Sequence, residues 1–432
     1  MIKVMFFYVL IFFSMAFSQD CNDDMLMYDC VGTWFCNDEA TYGYDCYVNN
    51  EFCEDFNGDG IVDSWVGDGW CDDGEWGYNF QCEDYSYDCG DCGDDYSDDF
   101  GYCSHVVEMS NFEHDGINRQ YYFYKPENLA ENVPLLFVLH GYTSNANSIM
   151  SYSNMNSIAD QNGFAVCYPQ GTSDNYNNNF WNVGYAFNDN QTVDDVDFLT
   201  SLASYLQNEH NLSAGNTFST GMSNGGDMSY MLACQAHDTF SAIAPIAGSM
   251  LESIYDSCDG VPVPVLEIHG TNDNTTLWEG DMENNDGWGA YLSTLDAIDY
   301  WVDVNDCQES EDINFPNTDF LDGSYVINHR YYDCAQNNEV WLYEVVNGGH
   351  DWPGAYGNMD IDASSEIWRF LEQFTFTVGD VNQDNILNIL DVIYLIDLIL
   401  NSESNNSLAD INGDGLINVI DVVFLVNLIL SE

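Results

Sequence analysis

Residues 216–232 run from a short strand pattern, Asn216 to Thr220, straight through Gly221-Met222-Ser223-Asn224-Gly225-Gly226 into a helical pattern carrying Met228, Met231 and Leu232. A strand that turns this sharply into a helix belongs to a parallel α/β sheet, where the helix must return across one face of the sheet. The turn demands small residues, because side chains there would strike the neighbouring strand and helix. Gly221, Gly225 and Gly226 meet that demand. Gly-x-Ser-x-Gly alone is a weak signal. With a strand before it and a helix after it, the motif has the form of a nucleophile elbow. Such an elbow presents Ser223 Oγ at the carboxyl edge of the sheet, where open α/β folds bind their ligands.

The surrounding sequence supports that architecture. Pro134 to Gly141 is a continuous apolar run ending in a turn, as a buried parallel strand requires. The spacing predicts a helix over Asn145–Gln161, a strand over Phe164–Tyr168 and a helix over Val193–Glu209 with acids in its first turn. Strands follow at Phe240–Ala247, Val263–Ile268 and Glu339–Val346, with helices at Asp286–Val304 and Ser364–Phe374. The fold class read from this alternation is α/β, a mostly parallel sheet with helices on both faces.

A serine hydroxyl needs a base to become a nucleophile near neutral pH. His140 and His269 each close an apolar strand before a glycine and read as structural. His105 and His114 precede the fold, His210 and His237 stand at helix ends, and His329 sits beside a candidate disulfide. His350 lies in a Gly-rich loop after the last strand, the place for the third member of a Ser…Asp…His order. Between Ser223 and His350, Asp273 follows the strand Val263–Ile268 and is the candidate that orients the imidazole. Asp194, Asp195 and Asp197 read as caps or dipole partners of the helix they open. An oxyanion hole needs two backbone N–H groups. The candidates are Asn224 and Tyr142, with Thr143 as the alternative to Tyr142. Trp181, Trp288 and Trp352 are candidates for either the cleft wall or the core.

Several motifs keep one order along residues 105–376. They are Asp115-Gly116-Ile117-Asn118-Arg119, Leu139-His140-Gly141-Tyr142, Tyr168-Pro169-Gln170-Gly171, Phe180-Trp181-Asn182, the Ser223 elbow, Ile268-His269-Gly270-Thr271-Asn272-Asp273 and Gly348-Gly349-His350-Asp351-Trp352-Pro353-Gly354. Together they resemble the polyhydroxybutyrate depolymerase and feruloyl/acetylxylan esterase group of secreted α/β-hydrolases. The resemblance implies hydrolysis of carboxylic esters in an extracellular polymer through an acyl-enzyme, with no cofactor in the catalysis. It assigns Ser223, Asp273 and His350 the roles reached from spacing. The competing reading is a non-catalytic, calcium-dependent adhesive or scaffold protein that keeps the hydrolase fold.

Residues 379–432 contain an internal duplication. Asp380, Asn382, Asp384, Asn388 and Asp391 recur as Asp410, Asn412, Asp414, Asn418 and Asp421. These are loop positions one, three, five, nine and twelve of a calcium loop, and Ile386 and Leu416 at position seven would offer backbone carbonyls. An apolar helical stretch follows each loop, Val392 to Leu400 and Val422 to Leu430. The repeat resembles a type I dockerin, which implies calcium-dependent folding and docking onto a cohesin-like partner. It departs from that pattern at the tenth and eleventh positions, where Ile389-Leu390 and Val419-Ile420 are apolar rather than Ser-Thr.

The N-terminal part reads differently. Lys3 and the apolar run Val4 to Phe17 precede Ala16-Phe17-Ser18, giving a signal peptide over residues 1–18. The run is too short for a membrane span, so the mature chain is expected to lack one and to be secreted. Disulfides persist outside the cell. Ten of the 15 cysteines fall between Cys21 and Cys103, which marks 19–104 as a disulfide-stapled module. Asp55, Asn57, Asp59 and Asp63 have calcium-loop spacing within it, and Trp65 to Cys92 is similar to a Notch-type calcium repeat. Outside the module, Cys234–Cys258 and Cys307–Cys334 each bracket a loop and are expected to pair, which leaves Cys167 over. Only five Lys and Arg stand against 73 Asp and Glu, a net charge of -68. Such a surface repels nucleic acid and anionic lipid, so neither is an expected partner.

Overall fold

A computed structural model describes residues 107, 109–126, 129–188, 190–376, 379–382, 387–401, 409–412 and 416–431. It also describes the backbone of three short strands, β1 (Leu26–Tyr28), β2 (Trp34–Asp38) and β3 (Tyr44–Tyr47), which pair antiparallel in that order. The leader, the remaining Cys-rich segment and Asp55, Asn57, Asp59 and Asp63 lie outside the described residues.

The central sheet has ten strands. Six run parallel through its middle, in the order β15 (Val340–Val346), β12 (Val265–Gly270), β11 (Ala242–Ile246), β10 (Thr217–Met222), β6 (Leu135–Leu139) and β7 (Ala165–Pro169). Successive residues of β6 point to opposite faces, and both faces are buried. Leu135, Phe137 and Leu139 join one apolar cluster, while Leu136 and Val138 join the other. The first cluster includes helices α3 (Asp195–His210), α4 (Asn224–Gln235) and α6 (Thr294–Val304). The second includes α1 (Ala146–Ser153), α2 (Met155–Asn162) and α7 (Ala363–Leu371). Two-sided burial is why β6 and β11 read as unbroken apolar runs.

Antiparallel hairpins close both edges: β4 (Met109–His114) with β5 (Ile117–Tyr124), and β13 (Glu309–Asn314) with β14 (Tyr325–Tyr332). The sequence reading places no strand in either. Every residue of β13 is exposed, so Glu309-Ser310-Glu311-Asp312 carries no apolar alternation to betray it. Its carboxylates also discourage pairing with another chain. Outside this sheet, β8 (Thr172–Ser173) pairs with β9 (Asn179–Phe180), and α5 (Glu252–Ser257) is a short helix after β11.

Two helices differ from expectation. The span expected at 145–161 divides at Asn154, which takes a left-handed conformation with φ 46°. Asn tolerates that region, and the break lets Ile149 on one side and Met155 and Ile158 on the other bury against the same sheet face. The helix expected from Asp286 starts only after Ser293, whose hydroxyl caps Asp296 N–H. The preceding residues fold back on Asp281, which accepts from Asn285 Nδ2 and Asp286 N.

The disulfides Cys234–Cys258 and Cys307–Cys334 form as expected, and Cys167 is a buried free thiol. Asp194 caps α3 by accepting from Asp197 N at 2.9 Å. Asp195 does something the first-turn reading missed. It is fully buried, pairs with Arg119 at 2.7 Å and accepts from Asn182 N at 2.8 Å. The Arg119 guanidinium lies 3.6 Å from the Phe198 ring centroid, so the pair locks β5 onto α3.

In the C-terminal region α8 (Ile389–Asn401) packs on α9 (Val419–Ser431) around Val392, Leu395, Leu398 and Leu425. No helix among the described residues is long and apolar enough to cross a membrane.

Candidate active site

The candidate residues gather at the carboxyl edge of the parallel strands. Strands β6 and β10 are neighbours, and from them the chain winds outward in opposite directions along the sheet. Such a switch point opens a crevice in an α/β sheet. Ser223 follows β10 and Tyr142 follows β6, so both line this crevice.

Ser223 has φ 56° and ψ -122°, a strained conformation for a residue with a side chain. The surroundings impose it. Ser223 N donates to Ile246 O at 2.8 Å, and Asp227 N donates to Ser223 O at 2.9 Å. A Cβ on Gly225 would sit 2.2 Å from Leu139 O, so only glycine lets α4 start this close to β6. Asn224 is the first residue of α4, and the opening N–H groups of a helix have no intrahelical acceptor.

Beyond β6 the loop is held from below by His140, which is fully buried. Gly171 N–H donates to His140 Nε2 at 3.0 Å, so the ring proton is on Nδ1. Nδ1 donates in turn to Gly141 O at 2.8 Å. Burial pushes this imidazole down to about 4, so it stays neutral. The Gly141 carbonyl is thereby held inward, and the Tyr142 N–H across the same trans peptide points the other way. A Cβ on Gly141 would lie 3.5 Å from Ser223 Cβ, which sets this peptide beside the serine. Thr143 N–H is already committed to Asn179 O at 2.8 Å, which favours Tyr142 over Thr143 as the free donor.

His350 and Asp273 come together across 77 positions of sequence. His350 Nδ1 donates to Asp273 Oδ2 at 2.7 Å. Asp273 is buried, and its Oδ1 accepts from Thr275 N at 2.7 Å and Thr276 N at 2.9 Å. His350 is only partly covered. The loops can approach because Gly270 has no side chain: a Cβ there would meet Gly349 O at 2.3 Å.

The three tryptophans divide. Trp181 and Trp352 are core residues. Trp181 exchanges two hydrogen bonds with the Asn224 side chain and donates Nε1–H to His140 O, so it braces both sides of the crevice. Trp288 is half-buried and packs edge-on against Tyr142 at 5.6 Å, beside Tyr185 and Phe187.

Two buried carboxyls near the site escaped the sequence reading. Asp227, one turn into α4, accepts from Tyr185 OH at 2.5 Å and Ser249 N at 2.6 Å, and burial raises it to about 6. Glu267 lies in β12 and is raised to about 7, again by burial. The available signal for Glu267 was a glutamate inside an otherwise apolar strand.

The C-terminal loops show one pattern twice. Asp391 Oδ1 faces Asn382 N at 3.2 Å and its Oδ2 faces Asn388 N at 2.8 Å. Asp421 repeats this with Asn412 N at 3.3 Å and Asn418 N at 2.8 Å. Both aspartates are fully buried, as is Asp380. The chain's five Lys and Arg all lie outside residues 379–432, so no side-chain cation of the repeat balances these carboxylates. A hard divalent cation fits such an oxygen donor set. Asp384, Ile386 and Asp414 lie outside the described residues. Ile389, Leu390, Val419 and Ile420 are exposed.

Taken together, a mostly parallel sheet covered on both faces, with a strained serine turn at its switch point, defines an α/β-hydrolase. Residues 119–265 match the esterase PHB depolymerase family and residues 378–430 match the type I dockerin domain. The chain therefore carries, in series, a segment that matches the esterase PHB depolymerase family model and one that matches the type I dockerin model. It is 30% identical over 266 residues to a bifunctional acetylxylan esterase/xylanase of Neocallimastix patriciarum, covering 60% of this chain and 34% of that protein. The chain thus spans about a third of that relative's length. It is 26% identical to a probable feruloyl esterase C of Aspergillus niger, covering 62% of this chain and 89% of the relative. It is 27% identical to poly(3-hydroxyalkanoate) depolymerase C of Paucimonas lemoignei, covering 57% and 62%. The solved acetyl xylan esterase from Aspergillus awamori gives a TM-score of 0.43 at 16% identity, covering 62% of this chain and 100% of that one.

Proposed function

We propose that the protein is a secreted serine esterase that cleaves carboxylic esters in an extracellular polymer. The observation that carries this reading is the 2.7 Å contact between His350 Nδ1 and Asp273 Oδ2, on the same sheet edge as the strained Ser223 turn. In this mechanism Ser223 Oγ attacks the ester carbonyl and His350 Nε2 takes its proton. Asp273 holds the imidazole tautomer and stabilises the imidazolium. The N–H groups of Asn224 and Tyr142 receive the developing oxyanion. His350 returns the proton to the departing alcohol, and a water activated by the same imidazole then releases the acid from Ser223.

The ester class follows the relatives: feruloyl or acetyl groups on a plant or algal polysaccharide, or a polyhydroxyalkanoate. Residues 1–18 form the leader, 19–104 a disulfide module, 105–376 the esterase domain and 379–432 the docking unit. In that unit Asp380, Asn382, Asp384, Ile386, Asn388 and Asp391 would hold one calcium ion, and Asp410, Asn412, Asp414, Leu416, Asn418 and Asp421 a second. Bound calcium would balance these carboxylates, and the pair of helices α8 and α9 carries the esterase to a cohesin-like partner. Purified protein is expected to hydrolyse a short-chain aryl ester, and Ser223→Ala to abolish this. Equal activity in the two proteins overturns the assignment. A panel of methyl ferulate, acetylated xylan and polyhydroxybutyrate film then separates the ester classes.

A further inference from the structure

Behind Asp273 lies a second imidazole that the mechanism above does not use. His269, at the end of β12, is buried. Its Nε2 is 2.9 Å from Thr276 O and 3.7 Å from Asp273 Oδ2, and its Nδ1 is 2.9 Å from Glu267 Oε1. Tyr230 OH, from α4, donates to Glu267 Oε2 at 3.0 Å. A carbonyl can only accept, so Thr276 O requires a proton on Nε2. A single further proton then lies between Nδ1 and Glu267. The pair is Glu267⁻ with a cationic ring, or neutral acid with neutral ring, and is net neutral either way.

We infer that His269 is a positioning residue for Asp273, and that the Glu267–His269 pair tunes how strongly Asp273 draws a proton onto His350. This rests on the esterase reading above. Two physical routes lead to it. First, the Nε2–H bond to Thr276 O pins the 273–276 turn, whose Thr275 and Thr276 N–H groups hold Asp273 Oδ1. Second, with the shared proton on Nδ1 the ring is the cationic end of the pair and lies beside Asp273 Oδ2, the oxygen that His350 also uses, while the Glu267 carboxylate lies on the far side of the ring. Glu267 is raised to about 7 by burial, and His269 is raised by the Glu267 hydrogen bond and charge against the effect of its own burial. Both shifts favour retaining the shared proton near neutral pH. The other groups facing the pair are Tyr230 and Asp227 from α4, the Trp278 ring with its centroid 6.0 Å from that of His269, and His350 with Asp351 beyond Asp273.

The test is Glu267→Gln in the full chain. The amide keeps the shape, donates to Nδ1 and still accepts from Tyr230, but it leaves the ring neutral. The variant loses both charges of the pair, but the cationic ring is the member nearer Asp273, so its loss outweighs that of the carboxylate and makes protonation of His350 easier. The acid limb of kcat/KM on an aryl ester moves up by about 0.5–1 pH unit. His269→Asn, which frees the turn, is expected to lower kcat by roughly tenfold or more with little change in KM. The His350 ring titration, followed by NMR in selectively labelled protein, reads the same shift without turnover and keeps the test valid if His269→Asn folds poorly. An unmoved acid limb and an unmoved His350 titration in Glu267→Gln, with only a lower melting temperature, overturn the inference. Wild-type protein whose hydrolysis is insensitive to Ser223→Ala fails the esterase reading instead, and the NMR titration still decides whether the pair acts on His350.

Discussion

The candidate triad and the calcium loops are built on opposite principles. His350 and Asp273 meet across 77 positions, and their contact exists only because β12 and β15 lie side by side and Gly270 admits the neighbouring loop. Each proposed calcium loop would gather its donors within twelve residues, from Asp380 to Asp391 and from Asp410 to Asp421. The first design needs a packed sheet. The second would draw on a cation, because its helices share a small core around Leu395, Leu398 and Leu425. A site assembled at long range inherits its rigidity from the domain, whereas a local loop takes its rigidity from the ion it binds.

The largest effect is expected from Asp273→Asn, which leaves the fold intact but offers His350 the wrong partner. It should cost about 10⁴ in kcat on an aryl ester. A loss below tenfold, with unchanged circular dichroism, would remove Asp273 from the proposed role. Next, Arg119→Met strands the buried carboxylate of Asp195 without touching the candidate triad. Unfolding of the esterase domain in denaturant should become easier by about 3–5 kcal/mol, while calcium binding by the C-terminal unit stays unchanged. Loss of both together would show that the two regions are not independent.

A smaller effect is expected from Asp391→Ala. It should remove one calcium site and leave its duplicate, lowering the stoichiometry in a calorimetric titration by one ion per chain without altering ester hydrolysis. Abolition of both sites would mean that the loops fold as one cooperative unit. The smallest effect is expected from a chelator. It should melt the α8–α9 pair, seen as protease cleavage beyond residue 376, while changing hydrolysis by less than about twofold. A large loss of activity would place a metal in the esterase domain as well.

Much of the fold was legible because two-sided burial writes itself into sequence. Leu135 to Leu139 and Ala165 to Pro169 are unbroken runs, and both are strands. Of the edge hairpins, β13 was not legible because it is wholly exposed and its residues satisfy no periodicity, whereas β4 and β14 carry a partial alternation of burial that was not read as a strand. Helix ends were misjudged where a polar side chain competes with the backbone, as Ser293 and Asp281 do ahead of α6. Asp195 looked like one more acid in a first turn. Only packing showed that Arg119, 76 positions earlier, neutralises it.

The sequence by itself determined the order of the parts, the glycine-flanked serine between strand and helix, and the spacing of the calcium loops, because each depends on neighbours within a few residues. Tertiary structure decided which of 73 acidic residues meets His350, why His140 is neutral and holds the Gly141 peptide, and that Glu267 and His269 stand behind Asp273. Those outcomes depend on burial and on distances across the sheet. Both arise only when segments remote in sequence are packed together and water is removed from between them.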